Sequence, residues 1–400
     1  MLIHVSLLIL IMQIQNKINN LFLVFFLLVF LFSCKEAYWP ELDKYENVLV
    51  VDGLITNEPG PYTIRLSFSS PIDSAQFIPY TNCQLIILDN SGNSETLTEW
   101  DPGIYMTSEM GIQGTIGRKY KLEIHTPDSK TYESSYKELK APVGINSVYA
   151  EIEYHRDEHY DYELVGYQFY LDTELAEQDS NFYLWRADAT YQYQSDFTIR
   201  WYYDGQLKWF HGPDSLYNCW STYRVGKIFT QSTQSMSKPK IDRYALHYVN
   251  TQSRQLSVRY SLLTKQYTID KEAYEFWSGV GEQNADQESL YTLQPYQISS
   301  NVKNIENEND PVLGYFLVAG AAEKRIFVDR PLYPIPLRYS VCEVGEGDFH
   351  AYGQLGMADP VFYPIYAIET NGGRRAVPNQ ACVDCQLKGG TITKPDFWID

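Results

Sequence analysis

Short runs of alternating apolar and polar residues, separated by turn sequences, are the feature that most constrains the fold of this chain. The runs VLVVDGLIT (48–56) and YTIRLSFS (62–69) flank Glu58-Pro59-Gly60-Pro61, a strong turn sequence. The run CQLIILD (83–89) leads into another turn, made of Asn, Ser and Gly. About seven such strands at a spacing of roughly 8–12 residues are typical of a β-sandwich. We therefore predict a mainly β protein with an N-terminal Ig-like β-sandwich at residues 34–140.

Longer aromatic strands follow a linker at residues 140–144 and predict a larger antiparallel β domain at residues 145–400. Tyrosine is the compositional outlier, with 34 copies, and it favours strands while supplying amphipathic contact surface. A dedicated aromatic binding surface is the alternative interpretation of these tyrosines. The runs PVLGYFLVAG and KRIFVDR, on either side of Ala321-Ala322-Glu323, predict a hairpin in this domain.

One inserted helix is predicted in the second domain, near residues 270–281. Asp270 is a favourable N-cap, and the helix-compatible run KEAYEFWSGV follows it. The apolar residues of this run fall on one stripe, which comprises Ala273, Tyr274, Trp277 and Val280. We expect this stripe to pack against the β core.

The N-terminal segment has the pattern of a lipoprotein signal peptide. Residues 21–32 are twelve consecutive apolar residues, a length that is short for a bilayer span and suits a signal-peptide core, and Lys17 precedes them. Leu31-Phe32-Ser33-Cys34 then resembles a lipobox, in which diacylglycerol is attached to the cysteine thiol and a peptidase cleaves before it. We therefore predict removal of residues 1–33 and lipidation of Cys34, which would hold the mature protein at a membrane.

Charge limits the range of partners. The chain has 32 Lys and Arg against 50 Asp and Glu, for a formal net charge of −18, and loss of Lys17 would make the mature chain one unit more negative. A surface this acidic repels nucleic acid and anionic lipid. Lys35-Glu36 and the acids up to Glu46 resemble in part a surface-export signal of the Bacteroidota. We expect an outer-membrane location, surface-exposed rather than periplasm-facing.

Five cysteines remain besides the lipidated one, an odd number in an oxidising compartment. Cys83 begins an apolar strand and is predicted to be a buried free thiol. Cys382 and Cys385 form a C-x-x-C pair with three interpretations: a redox motif, a zinc half-site, or a local disulfide that staples the C-terminal loop. The local disulfide is favoured, because neither a βαβ setting nor a second metal-binding pair is evident. By elimination Cys219 and Cys342 form a second pair, although spacing does not determine connectivity.

One segment matches a metal-site signature. His155-Arg156-Asp157-Glu158-His159 has the form H-x-x-E-H, which in zinc peptidases requires both histidines on one helix. Here it lies between two alternating β runs, so we interpret it as the tip of a hairpin, with adventitious metal or calcium binding as the alternative. The sequence has no nucleotide-binding glycine loop and no nucleophile-elbow motif. We predict no metal site, no cofactor and no catalytic set, and we leave open a carboxylate pair for glycosidic cleavage.

Five segments, in order along the chain, resemble a lipoprotein family of the Bacteroidota known as domain of unknown function 4249. They are LVVDGLITNEPGPYTIRLS, GTIGRKYKLEIHTPDSKTYESS, RYSLLTKQYTIDKEAYEFW, NVKNIENENDPVLGYFLVAGAAEKRIFV and ACVDCQLKGGTITKPDFW. The resemblance implies an outer-membrane lipoprotein with an N-terminal β-sandwich that accompanies a TonB-dependent transporter. The resemblance assigns no catalytic role to any residue of this sequence.

The sequence therefore predicts a lipid-anchored binding or accessory protein, not an enzyme, that works with a TonB-dependent transporter. A surface hydrolase acting on glycans or peptides is a second hypothesis, and it requires acids or histidines distant in sequence to meet in a cleft. A structural envelope or adhesion protein is a third hypothesis, and it predicts a flat surface.

Overall fold

The computed structural model describes the following residues: 48–70, 76–176, 182–211, 214–286 and 299–399. They lie within one compact unit that spans Asn47–Asp400. The predicted signal peptide and Cys34 fall outside the described residues. The described chain is mainly β with an inserted helix, which confirms the predicted fold class. None of its helices is long and apolar enough to cross a membrane.

Ten strands form the largest sheet. They are β1 (Leu49–Thr56), β2 (Thr63–Phe68), β3 (Ile78–Pro79), β6 (Thr98–Asp101), β7 (Ile104–Met106), β13 (Phe182–Gln194), β16 (Asn218–Arg224), β17 (Phe229–Ser232), β19 (Arg259–Ile269) and β21 (Val312–Asp329). The spatial order is β16-β13-β19-β21-β1-β2-β7-β6, with β17 beside β13 and β3 beside β2. Strands β1 and β21 pair in parallel, and this pairing joins the N-terminal strands to those of the second predicted domain.

Three smaller sheets accompany the large one. The six-stranded sheet contains β4 (Gln84–Asp89), β5 (Ser94–Thr96), β8 (Lys119–His125), β9 (Thr131–Ser134), β10 (Lys137–Glu138) and β20 (Val302–Asn304). The three-stranded sheet contains β11 (Ile145–His155), β12 (Leu164–Thr173) and β18 (Tyr244–Asn250). The four-stranded sheet contains β14 (Trp201–Tyr203), β15 (Leu207–Trp209), β22 (Ile365–Glu369) and β23 (Arg375–Ala376).

Two α-helices and five short 3₁₀ turns complete the described secondary structure. The α-helices are α1 (Lys271–Asp286) and α2 (Glu346–Gly353). The 3₁₀ turns are Arg254–Leu256, Leu355–Met357, Pro360–Phe362, Gln380–Cys382 and Cys385–Lys388. Helix α1 begins where predicted, because the Ala273 backbone N–H donates to Oδ1 of Asp270 at 2.8 Å.

The N-terminal strands form a sandwich around one core. Val51 and Ile64 of the ten-stranded sheet share a buried cluster with Leu85 and Leu122 of the six-stranded sheet. Burial alternates along β4 and β8, as expected for strands with one face on a core. Hydrophobic burial between the two sheets therefore stabilises this part of the fold.

A second core lies between the ten-stranded and three-stranded sheets. It contains Trp185 and Leu262 from the former and Phe169 and Leu246 from the latter. Apart from residues of β20 and β21, the first core is built from residues up to Leu139, and the second core starts at Val143, so along this part of the chain the change of core falls at the predicted linker. The ten-stranded sheet nevertheless continues through both halves.

Helix α1 packs on the ten-stranded sheet in a third cluster. Its Ala273 and Phe276 are buried there with Leu184, Ile269 and Leu317. The hairpin predicted at Ala321-Ala322-Glu323 is wrong, since β21 is one strand of 18 residues. It pairs with β1 up to Ala319 and with β19 from Gly320 onward. A change of pairing partner, not a turn, explains the change in residue pattern.

Candidate ligand-binding groove

Two adjoining clefts lie on the face of the ten-stranded sheet that carries helix α1. Their volumes are about 370 Å³ and about 270 Å³, and Asp52, Arg186 and Arg224 line both. The clefts therefore form one groove, which we call the arginine groove after Arg65, Arg186 and Arg224. Side chains along β1 alternate between the two faces of the sheet. Val51 therefore lies in the N-terminal core, and Asp52 lies on the opposite face, in the groove.

Strand register gathers the charged residues of the groove. Asp52 on β1 lies opposite Arg65 on β2. Arg186 on β13 lies opposite Lys265 on β19. Residues directly opposite each other in antiparallel strands project from the same face, so each pair stays together on the sheet surface.

Arg224, the last residue of β16, adds a fourth cation through its pairing with Asp188 of β13. Its Nε lies 3.1 Å from Oδ1 of Asp188. Lys227 follows shortly after β16 and also lines the second cleft. These cations come from four separate parts of the chain, and only the sheet topology brings them together.

The acidic partners leave part of this positive charge uncompensated. Nη2 of Arg186 is 4.0 Å from Oδ1 of Asp52, too far for a hydrogen bond. Nζ of Lys265 is 3.6 Å from Oε2 of Glu323. Within the described chain, Arg65 makes no ion pair, and no group accepts a hydrogen bond from the Arg186 guanidinium. Arg186 is partly buried, with 22% of its side chain exposed, and it lines both clefts.

The second cleft has an apolar and aromatic floor. Val50, Leu184 and Ile228 line it together with Trp277 of helix α1 and Tyr315 of β21. The Arg186 guanidinium lies over the Trp277 ring, with its central carbon 5.1 Å from the ring centroid. This cation–π contact holds the cation at the boundary between the polar and apolar halves of the groove.

Two buried donors adjoin the second cleft. Nε1 of Trp277 and Oη of Tyr315 are buried and have no hydrogen-bond partner among the residues that the structure describes. Burial raises the pKa of Tyr315 far above its usual range, so its hydroxyl stays protonated and remains a donor. Buried polar groups are ordinarily hydrogen-bonded, so these two donors are exceptions directly behind the floor of the second cleft.

The groove contrasts with the charge of the whole chain. Its lining has five cations, including Lys227 and Lys265, against the two carboxylates of Asp52 and Glu58, whereas the chain carries a net charge of −18. Low-dielectric walls and converging cations concentrate positive potential in a cleft. The arrangement is suited to binding an anionic group next to an apolar one.

The structure pairs four predicted disulfide cysteines differently from the sequence-based prediction. Cys219 pairs with Cys385, with 5.7 Å between their Cα atoms, and Cys342 pairs with Cys382, with 6.0 Å between theirs. The predicted pairs Cys382–Cys385 and Cys219–Cys342 are therefore corrected. The physical reason is that Cys382 ends one 3₁₀ turn and Cys385 begins the next, so each side chain meets a different neighbour. Cys83 is a free thiol, as predicted, although it is only partly buried.

The H-x-x-E-H segment lies where the hairpin interpretation placed it. His155 ends β11, and residues 156–163 connect it to β12. Each histidine contacts a nearby acid: Nε2 of His155 is 2.9 Å from Glu153, and Nδ1 of His159 is 3.0 Å from Asp157. In the described chain, the one group with metal-ligand geometry is Asp196 with Cys342 and Cys382, whose sulfurs are already joined in a disulfide.

The fold and the groove together define a mainly β, disulfide-bonded protein with an open binding groove on its largest sheet. A family model described as Domain of unknown function (DUF4249) matches residues 35–325, and the chain belongs to this family. A comparison with curated proteins gave no match. The matched range contains every residue of the arginine groove and ends before Cys342.

Proposed function

We propose that the protein is a lipid-anchored, surface-exposed outer-membrane protein that binds a ligand in the arginine groove, as an accessory to a TonB-dependent transporter. The location rests on the lipobox at Leu31-Phe32-Ser33-Cys34. It is supported by the two disulfides, because such bonds persist in oxidising compartments and are rare in the cytosol.

The observation that carries the binding role is the partly buried, incompletely paired Arg186 in the arginine groove. A partly buried cation whose nearest carboxylate oxygen lies 4.0 Å away gives up some solvation without a close ion pair in return. Such a cost persists at positions where function uses the strained or unpaired group. A ligand anion at this position would supply the missing acceptors.

The transporter partnership rests on family resemblance and on no contact within this chain. It is tested by purifying the tagged mature protein from outer membranes in mild detergent and identifying what co-elutes by mass spectrometry. We expect an outer-membrane transporter in stoichiometric amount, and a diacylglyceryl-modified N-terminal peptide that begins at Cys34. A second tagged lipoprotein of the same membrane serves as the control for non-specific recovery. Recovery of the protein alone would contradict the accessory role.

A further inference from the structure

We infer that the ligand of the arginine groove is a small amphiphilic anion, with a carboxylate or phosphate group directly beside an apolar or aromatic group. This inference rests on the proposed function, because it assigns a ligand class to the same groove. Carboxylate and phosphate share the chemistry that matters here, namely planar or tripodal oxygens that accept from guanidinium donors.

The anion position is set by Arg186. Its guanidinium is held on one side by the Trp277 ring and reaches Asp52 only at 4.0 Å. Asp52 also lies opposite Arg65 in the strand register but makes no ion pair with it, so the charge of Arg65 remains available to the groove. A ligand anion could therefore take a bidentate hydrogen bond from Arg186 without displacing a close ion pair.

The apolar position is the floor of the second cleft. Val50, Leu184 and Ile228 provide aliphatic contact, and Trp277 provides a ring. Leu184 is already buried, but an apolar group placed here removes the partly exposed Val50, Ile228 and Trp277 from water, which stabilises the complex by roughly 25 cal/mol for each Å² buried. The floor begins at Arg186, which lines both clefts, so the acid and the apolar group of one small molecule fit side by side.

Charge excludes the other ligand classes of similar size. A cationic ligand would meet Arg65, Arg186 and Arg224 in the first cleft. A neutral apolar ligand would remove the remaining water from Arg186 and leave its donors unpaired, which costs free energy. An acid with an apolar substituent satisfies both halves of the groove.

The test is isothermal titration calorimetry of the mature protein in mild detergent with four soluble probes. They are 3-phenylpropionate, its neutral amide, phenyl phosphate and inorganic phosphate. The two aryl anions are 3-phenylpropionate and phenyl phosphate. We expect whichever of them binds more tightly to have at least tenfold higher affinity than the amide and at least tenfold higher affinity than inorganic phosphate. The ratio of 3-phenylpropionate to phenyl phosphate then distinguishes a carboxylate ligand from a phosphate ligand.

Two arginine variants localise the site. Arg186→Gln removes the charge from the groove, whereas Arg259→Gln removes it from an arginine of the same exposed fraction, 22%, that lies outside the groove. We expect Arg186→Gln to weaken binding of the aryl anion at least tenfold and Arg259→Gln to leave it within a factor of two. Equal affinity for acid and amide, no binding of either aryl anion, or unchanged binding by Arg186→Gln would each overturn the inference.

The two proposals fail in different ways. If a transporter co-purifies but neither aryl anion binds, the accessory role stands and the ligand class is wrong. If an aryl anion binds through Arg186 but no transporter co-purifies, the ligand class stands and the accessory role is wrong.

Discussion

Gly314 occupies the most constrained backbone position in the arginine groove. Its φ is +81°, in the left-handed region that disfavours residues with a Cβ. A Cβ at this position would lie 2.0 Å from the carbonyl oxygen of Val51 on the paired strand β1. The residue thus permits the close approach of β21 to β1 that forms the floor of the second cleft.

We therefore expect Gly314→Ala to lower the free energy of unfolding by at least about 1–3 kcal/mol, the cost of a non-glycine residue in a disfavoured backbone region. Urea denaturation monitored by circular dichroism gives this value. Gly226→Ala is the matched control, because Gly226 lines the same cleft and a Cβ there meets nothing within 4 Å. An equal loss of stability in both variants would count against the explanation.

His247 on β18 gives the fold a defined acid sensitivity. Its ring packs near Phe169, Tyr223 and Tyr260, with centroid distances of 6.4–6.5 Å. Burial, with a smaller contribution from the positive charge of Lys227, lowers the pKa of His247 from 6.5 to about 4. The folded protein therefore binds this proton less readily than the unfolded chain.

The direction of the pH dependence follows from this lowered pKa. The stabilising contribution is complete above pH 6.5 and is lost as pH falls through about 4, with a total of about 3 kcal/mol for a shift of this size. Urea denaturation at pH steps from 7 to 4, on the wild type and on His247→Gln, isolates the contribution. We expect the wild type to lose more stability than the variant over this range, and parallel curves would show that His247 is not responsible.

At the scale of elements, the C-terminal segment depends on long-range links more than on its own secondary structure. Its 3₁₀ turns are three and four residues long and carry little intrinsic stability. Asp196, with 6% of its side chain exposed, accepts from both Arg254 and Lys388 at 2.7 Å. The Lys388–Asp196 ion pair holds the segment beside the end of β13, and the Cys219–Cys385 disulfide joins it to β16.

The two disulfides should contribute unequally to stability. Cys219 and Cys385 are 166 residues apart and Cys342 and Cys382 are 40 apart, so the first closes the longer loop. Removal of a native disulfide typically costs about 2–5 kcal/mol, and loop-closure entropy makes the longer loop more costly by about 1 kcal/mol. We expect the double alanine variant of Cys219 and Cys385 to be the less stable of the two in guanidinium denaturation. The reverse order would contradict the entropic explanation.

Local signals in the sequence predicted the elements that depend on neighbouring residues. The turn between β1 and β2, the start of α1 at Asp270 and the hairpin between β11 and β12 were all predicted from such signals. Strand β21 was not, because its pattern changes where its partner changes from β1 to β19. A single sequence carries no direct information on which strand lies beside another.

The binding groove and the disulfides were missed for the same reason. Arg65, Arg186 and Arg224 are far apart in sequence, and only sheet register places them together. The available signal was a cation in the middle of an otherwise apolar or aromatic strand, as in TIRLSF and FYLWRADA. The C-x-x-C spacing suggested a local bridge, whereas the topology directs Cys382 and Cys385 to different partners.

For the whole molecule, the balance between surface charge and lipid decides membrane attachment. The net charge of −18 opposes contact with anionic lipid. Stable anchoring requires about two acyl chains, which a diacylglyceryl group on Cys34 would supply at roughly 0.8 kcal/mol for each buried CH₂. Attachment should therefore depend on this one thiol and not on the protein surface.

We expect the Cys34→Ala protein to lose palmitate labelling in cells, because the acceptor thiol is absent. We also expect a carbonate wash to release this variant from the membrane fraction. Metabolic labelling with an alkyne palmitate analogue, followed by membrane fractionation and immunoblotting, measures both. Cys83→Ala is the matched control, since Cys83 is a free, partly buried cysteine just before β4, and this variant should keep both the label and the membrane location. Palmitate label on the Cys34→Ala protein, or loss of label in Cys83→Ala alone, would place the lipid on another residue and remove the basis for the proposed anchor.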